Sequence, residues 1–253
     1  MNLALSEQDV SENTLLGGKI RLRQPVSGYR VAIDPVLLAA AVPAVAADTI
    51  LDIGCGVGAA ALCLGARVSG CRITGIDRQR DLIELARDNI ALNDMTARMT
   101  AVAGDLLQPI PQLEPNSFSH VIANPPFLEA SRASPSPHPA KVAADIEGDA
   151  DLPAWVDFAL SMVRPKGGLT FIHRADRLAD LLAALSGRAG EIIVFPLWPG
   201  EGKHAKRVIV QARKGVASPL RLMAGLVLHQ ADGRNTEAAE AILRHGAALS
   251  MVP

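Results

Sequence analysis

Four consecutive residues after an apolar run have the types needed to orient an amine. The segment VIANPPF places Asn124, Pro125, Pro126 and Phe127 directly after residues 121–123. Two consecutive prolines cannot continue a helix or a central strand, because each lacks an N–H donor and fixes φ. An Asn oxygen and a proline carbonyl can accept from the two N–H bonds of a planar amine, and an aromatic ring can stack on it. The segment therefore predicts a turn that frees the lone pair of an amino nitrogen.

Three acidic residues, Asp52, Asp77 and Asp105, come at the ends of successive predicted strands. In a doubly wound sheet, ligands bind outside the carboxyl ends of the strands. A carboxylate suits an ammonium group and repels pyrophosphate. Asp77 can accept both hydroxyls of a ribose, and Asp105 lies where it could reach an exocyclic amine. The pattern predicts a ligand with an ammonium group, a ribose and an adenine, and three glycines let it approach the backbone: Gly54, Gly56 and Gly58.

The same glycine turn also approaches a dinucleotide-binding pattern. That pattern has the form G-x-G-x-x-G/A, and Ala59 satisfies the relaxed last position. Glycine spacing alone therefore leaves a nicotinamide enzyme open.

The elements that must position these residues alternate along the chain from residue 49. This alternation predicts an α/β fold with a parallel, doubly wound sheet and helices on both faces. Two final strands without a helix between them predict an antiparallel edge hairpin. The predicted strands are 49–54, 72–77, 97–105, 118–124, 169–174, 191–198 and 205–215, and the predicted helices are 58–67, 78–94, 152–168, 175–190 and 235–249.

The flanking parts carry weaker patterns. We expect loose order in residues 1–15, a half-exposed strand at 17–25, and a helix after Asp34 as N-cap. The organisation we infer is an N-terminal extension (1–48), a ligand-binding catalytic domain (49–214) and a C-terminal extension of the same domain (215–253). The Pro- and Ser-rich stretch 128–147 is predicted to be a loop that either orders over substrate or is an insertion.

Composition excludes several classes of protein. The 253 residues carry a net charge of −1 and 3% aromatic residues, which argues against a purely electrostatic or ring-stacking nucleic-acid binder. Three cysteines without a CxxC pair, and no clustered histidines, predict no metal site. With no long apolar run and no signal peptide pattern, we expect a soluble cytoplasmic protein. We interpret Cys55, His173 and Trp155 as structural residues.

These motifs together resemble the class I S-adenosylmethionine-dependent methyltransferases. LDIGCGVG, ITGIDRQRDLIELARDN, VAGDLL and VIANPPF have the order and spacing of that family over residues 20–212. The resemblance implies S-adenosylmethionine as cofactor and a seven-stranded Rossmann-like sheet with the last strand antiparallel.

The resemblance also implies a role for each position. Asp52 and the glycines would border the methionine end of the cofactor. Asp77, with Arg78 beside it, would hold the ribose hydroxyls, and Asp105 or the Leu106 backbone would hold the adenine. Two further residues are expected at the cofactor: Tyr29, over its methionine end, and Asn124.

The NPPF turn resembles the NPPY/F signature of methyltransferases that modify adenine N6, guanine N2 or a glutamine amide. Phe127 keeps the stacking surface of the commoner Tyr and lacks its hydroxyl. Oxygen methylation usually calls for a base or a metal at this place. The resemblance therefore favours an N-methyltransferase.

Segments 17–43 and 196–215 resemble the branch that contains the bacterial tRNA(Val) adenine-N6 methyltransferases. Glutamine methyltransferases tend to have a separate N-terminal helical domain, for which 48 residues are too few. We expect adenine N6 in tRNA or another structured RNA as the acceptor. The alternatives are a protein glutamine, a small molecule, or a non-catalytic nucleic-acid-binding module. A basic cluster either faces RNA or protects an edge strand: Lys203, Lys206, Arg207, Arg213 and Lys214.

Overall fold

A nine-stranded, mostly parallel sheet forms the centre of the protein. The computed structural model describes residues 9–27, 30–126 and 150–251. The strands are Val10–Leu15 (β1), Ile20–Pro25 (β2), Thr49–Ile53 (β3), Arg72–Asp77 (β4), Met99–Ala103 (β5), Phe118–Ala123 (β6), Val163–Arg174 (β7), Ala189–Gly200 (β8), Arg207–Lys214 (β9), Arg221–Leu222 (β10) and Leu226–His229 (β11). The helices are Asp34–Ala41 (α1), Ala59–Arg67 (α2), Arg80–Leu92 (α3), Leu152–Met162 (α4), Leu178–Leu185 (α5) and Glu237–His245 (α6).

The strand order confirms the predicted α/β fold. The order is β10-β8-β9-β7-β6-β3-β4-β5, with β11 also paired to β8. The neighbours from β7 to β5 are parallel, whereas β9 runs antiparallel to both β7 and β8. The predicted hairpin is therefore present, with β9 inserted between β7 and β8. The short strands β10 and β11, which the sequence analysis missed, extend the sheet beyond β8.

Alternation along the strands builds an apolar core on each face of the sheet. In β3, for example, Ile50 packs into the core that contains the buried residues of α1, α2, α3 and α6. Leu51 and Ile53 pack into the other core, beneath α4 and α5. This alternation follows from the period of two in a strand and produces the three-layer arrangement.

The N-terminal part differs from the prediction. Val10–Leu15, expected to be loosely ordered, forms β1 and pairs antiparallel with β2 along its whole length. Asp34 is the first residue of α1 rather than its N-cap, which is Ile33. The Asp34 carboxylate instead accepts a hydrogen bond from Arg207 Nε at 2.8 Å.

The helix predicted for 152–168 ends earlier, at Met162. From Val163 the chain is already strand β7, with Lys166 at φ +61 and a register shift opposite β6. No helix in the described ranges is long and apolar enough to cross a membrane.

Candidate active site

A cleft of about 960 Å³ opens at the carboxyl ends of β3, β4, β5 and β6. These strands are parallel neighbours, so their ends meet at one edge of the sheet. The cleft is lined by every described residue that the sequence analysis singled out as a site residue except Gly58. Those lining residues are Asp52, Gly54, Gly56, Asp77, Arg78, Asp105, Leu106, Asn124, Pro125 and Pro126. Tyr29 and Phe127, with loop 128–147, lie outside the described residues.

The glycine turn after β3 needs glycine for two different reasons. Gly54 has φ +67, and a Cβ there would lie 2.5 Å from Cη2 of the Trp155 indole. Gly56 has φ +53, but a Cβ there would meet nothing within 4 Å. Gly58 is the N-cap of α2 and packs towards Ala86, away from the cleft. The expected contact of Gly58 with the cofactor stays a prediction.

Asp52 is a buried carboxylate at the floor of the cleft, with 2% of its surface exposed. Burial raises the pKa of Asp52 to about 7, and the charge of Asp77 acts in the same direction. A hydrogen bond from the Ala61 backbone, in the first turn of α2, opposes that pKa shift. Within the described part of the chain, Asp52 Oδ2 has no hydrogen-bond partner.

Asp77 is held rigidly at the end of β4. Its two carboxylate oxygens accept from the N–H groups of Gly56, at 3.0 Å, and Gln79, at 2.8 Å. Burial nevertheless raises the pKa of Asp77, although these two bonds and the Arg78 charge favour the ionised form. The first of these bonds ties the second glycine of the turn to β4.

The third acid lies in the turn after β5. Asp105 Oδ1 accepts from the Leu107 N–H at 2.9 Å, which fixes the backbone of this turn beside the cleft. Leu106 is half-buried in the same wall.

Asn124 lies immediately after β6, at the edge of the same cleft. Its Oδ1 atom is buried, and no described residue donates a hydrogen bond to it. A buried acceptor without a donor carries a free-energy cost, so its presence points to a ligand that donates. Pro125, next to it, is buried.

Sequence reasoning missed two parts of the cleft. Trp155, assigned to the core, lines the cleft from α4 and stacks over Gly54. Its Nε1 atom also has no partner among the described residues. The second part is a wall formed by Pro25, the last residue of β2, and by Ser27 and Val31 after it, a segment from which only Tyr29 was expected at the cofactor. Helical spacing in the sequence cannot distinguish a Trp that is buried in the core from one that lines the cleft.

Most of the predicted basic cluster makes contacts within the chain. Arg207 pairs with Asp34, and Arg213 pairs with Glu191 at 3.0 Å. Lys214 donates to the Leu160 carbonyl at 2.6 Å. Three of the five cations therefore have partners within the protein. The two lysines in the turn between β8 and β9, Lys203 and Lys206, are exposed.

The hydrogen-bond donors and acceptors in the cleft indicate which cofactor it fits. Two buried acceptors without donors, on Asp52 and Asn124, suit a ligand that carries cationic and amine groups. The N-terminus of α2, where a pyrophosphate would bind, already holds the Asp52 carboxylate. The residues therefore fit S-adenosylmethionine and do not fit a dinucleotide. Among the described residues, no group of three His, Cys, Asp or Glu is placed to hold a metal ion.

Known proteins resemble this chain over most of its length. The family model for the methyltransferase small domain matches residues 27–138. A tRNA1(Val) (adenine(37)-N6)-methyltransferase from Porphyromonas gingivalis is 31% identical over 218 residues, which cover 81% of this chain and 83% of that protein. A release factor glutamine methyltransferase from Salmonella typhimurium is 28% identical over 155 residues, 56% of this chain and 51% of that protein.

A solved structure with the same fold comes from Agrobacterium tumefaciens and is described as a predicted O-methyltransferase. It has a TM-score of 0.71 and 26% identity, and covers 85% of this chain and 98% of that one. Fold and cleft together define a class I methyltransferase that uses S-adenosylmethionine. The chain belongs to the family of the tRNA1(Val) adenine-N6 methyltransferases, and its residues 27–138 match the methyltransferase small domain.

Proposed function

We propose that this enzyme methylates the N6 amino group of adenine in RNA, with tRNA as the acceptor. The observation that carries the proposal is the buried Oδ1 atom of Asn124, which lacks a donor among the described residues and belongs to a residue that lines the cofactor cleft. An exocyclic amine has two N–H bonds and supplies the donor that this oxygen lacks.

Bound S-adenosylmethionine supplies a methyl group already activated by its sulfonium. Asp52 would face the cationic end of this cofactor, and Asp77 would accept from its ribose hydroxyls. Because Asp77 is already fixed by two backbone N–H groups, it needs no reorganisation to do so. The Asp105 turn and Leu106 would enclose the adenine.

Asn124 and Pro125 would act on the acceptor. The adenine amine is conjugated with its ring, which delocalises the lone pair. Hydrogen bonds to the Asn124 oxygen and to the Pro125 carbonyl would favour a tetrahedral nitrogen and free that lone pair. Phe127 is expected to stack on the base.

The Asn124 amide also bears on whether the enzyme methylates a nitrogen or an oxygen atom. An amide oxygen is a hydrogen-bond acceptor but too weak a base to remove the proton of a hydroxyl acceptor. An amine can be methylated first and lose its proton afterwards. The turn therefore favours nitrogen over oxygen.

Two observations favour RNA over a protein glutamine. The relative named as a tRNA methyltransferase matches over most of both chains, whereas the release factor methyltransferase matches over about half of each. In addition, the described residues before β3 form one hairpin and one eight-residue helix. These described residues do not form a helical bundle of the kind expected of the glutamine enzymes.

An acceptor assay tests the proposal. The purified enzyme is incubated with radiolabelled S-adenosylmethionine and either total RNA or total protein from cells that lack it. We expect label in the tRNA fraction and N6-methyladenosine after digestion to nucleosides. Label in protein, or in a different nucleoside, would contradict the proposal.

A further inference from the structure

We propose that His173 is a positioning residue that fixes the Asn124–Pro125 turn by donating from Nε2 to the Pro126 carbonyl. The inference rests on the proposed function of that turn. It concerns a residue of β7 that neither contacts the cleft nor belongs to the NPPF signature.

The turn has a structural problem that its own sequence creates. Pro125 and Pro126 have no N–H groups, so neither can donate to a neighbouring strand. The ladder between β6 and β7 stops at the pair of Ala123 with Phe171. At these two prolines the backbone can be held only through its carbonyl oxygens, which need a donor from elsewhere.

His173 supplies that donor. It lies two residues after Phe171 on β7, it is fully buried, and its Nε2 atom is 3.3 Å from the Pro126 oxygen. A carbonyl oxygen can only accept, so Nε2 must carry the proton. The Ala123–Phe171 pair and the Pro126–His173 bond therefore bracket the two acceptor residues, Asn124 and Pro125, against one strand.

The surroundings of His173 keep this donor neutral. Burial lowers the pKa of His173 to about 4, and the nearby charges of Arg177 and Arg207 act in the same direction. Hydrogen bonding to the backbone of Pro126 and Arg174 opposes this shift without cancelling it. The imidazole is therefore neutral across the physiological range, and its Nε2 proton is committed to the turn. This arrangement argues against a catalytic base at this position.

Two substitutions separate positioning from packing. In His173→Gln, the amide nitrogen can take the place of Nε2 and keep the bond. In His173→Phe, the ring volume is kept and the donor is lost. We expect the Phe variant to lose at least about 10-fold in kcat, as for one lost hydrogen bond, while the Gln variant retains most activity.

The affinity for S-adenosylmethionine, measured by calorimetry, should stay at the wild-type value in both variants. This measurement also shows that each variant is folded. Equal activity of the two variants, or a parallel loss of cofactor affinity, would overturn the positioning role. If His173→Phe does not fold, His173→Leu provides the donor-free comparison.

A second readout does not depend on the acceptor. Long-range proton–nitrogen correlation spectra distinguish the tautomers of the six histidines, and the His173→Gln variant assigns the signal. We expect His173 to be the neutral Nε2–H tautomer from pH 5 to pH 8. An Nδ1–H tautomer would overturn the inference, whereas an inactive wild-type enzyme with the Nε2–H tautomer would count only against the proposed acceptor.

Discussion

The buried carboxylate of Asp52 is the residue most sensitive to the charge of a bound ligand. Its pKa is raised to about 7 by burial, so near neutral pH about half of the free enzyme carries it protonated. A cationic ligand favours the ionised form and lowers this pKa. We therefore expect the affinity for S-adenosylmethionine to rise from pH 6 to pH 8, with proton release on binding.

Calorimetry in buffers of different ionisation enthalpy measures that release. Asp52→Asn is the control, because the amino group of the ligand titrates in both proteins and only the wild type has the carboxylate. An identical pH dependence in the two proteins would contradict the assignment. The effect of pH on folding has the opposite sign. Because the pKa of Asp52 is raised in the folded state, the free energy of unfolding falls as pH rises from about 4 to 7.

Asn124 provides the sharpest test of acceptor activation. Replacing it with Ala removes the Oδ1 atom that has no partner in the described part of the chain, without touching the acids of the cofactor half of the cleft. We expect kcat to fall by about 100-fold or more, since one preorganised hydrogen-bonding group at a reacting centre has that effect. Cofactor affinity by calorimetry should not change. Retained methyl transfer would remove Asn124 from the mechanism.

Gly54 and Gly56 form a matched pair for the glycine turn. Both have positive φ, but only at Gly54 would a Cβ collide with Trp155. Gly56→Ala should lower the free energy of unfolding by about 1 kcal/mol for the backbone alone, and Gly54→Ala by about 2–4 kcal/mol because overpacking is added. Urea denaturation measures both. Equal effects would show that the indole moves aside at little cost.

At the scale of elements, the helix–strand alternation predicted the parallel strands and the edge where the acids meet. It could not predict β1, because the sequence VSENTL has no apolar alternation and the strand exists through its pairing with β2. It also misplaced the start of β7. VRPKGG has the residues of a helix terminator, yet pairing opposite β6 draws Val163 into the sheet. Tertiary partners decide such segments.

Helix α3 holds the N-terminal hairpin through two asparagines one turn apart. Asn89, fully buried, accepts from the Arg23 N–H at 2.7 Å and donates to the Arg23 carbonyl at 2.8 Å. It also donates to the Val57 carbonyl in the glycine turn at 3.0 Å. Asn93 makes the corresponding pair of bonds to Arg21 near the surface.

We expect Asn89→Ala to lower the free energy of unfolding by about 2–4 kcal/mol, because it leaves buried backbone groups unsatisfied. It should also weaken cofactor binding, since both Val57 and the chain after β2 line the cleft. Asn93→Ala is the matched control and should cost about 1 kcal/mol or less, with cofactor affinity unchanged. If the two variants had similar effects on cofactor affinity, the bonds of Asn89 to the hairpin and to Val57 would not be what supports the cofactor site.

At the scale of the whole molecule, we expect the two ends of the sheet to contribute differently to RNA binding. The turn 201–206 joins β8 and β9, which are three and two strands from β6. Adjacent strands are about 4.8 Å apart, so the turn lies roughly 10–14 Å from Asn124 on the same edge. Its Lys203 and Lys206 are exposed, and we expect them to meet backbone phosphates close to an adenine in the site. Exposed Arg164 and Lys166 begin β7, at the opposite end of the sheet.

The double variant Lys203→Glu/Lys206→Glu should raise the KM for tRNA by about 10-fold or more and flatten its salt dependence. Arg164→Glu/Lys166→Glu makes the same change in charge far from the cleft and should have little effect. Steady-state kinetics at two salt concentrations give the KM for tRNA of each double variant and show which end of the sheet contributes to tRNA binding. Equal effects would mean that net charge alone controls RNA binding.

The insertion of β9 between β7 and β8 has a consequence for how the protein is made. Until Arg207–Lys214 has emerged from the ribosome, β7 has an unpaired edge and β8 has no central partner. The same strand brings Arg207 to Asp34, 173 residues earlier in the chain. Helix α1 is therefore joined to the sheet by this ion pair only after β9 has been made, and until then the unpaired edge of β7 is a surface on which other chains could pair.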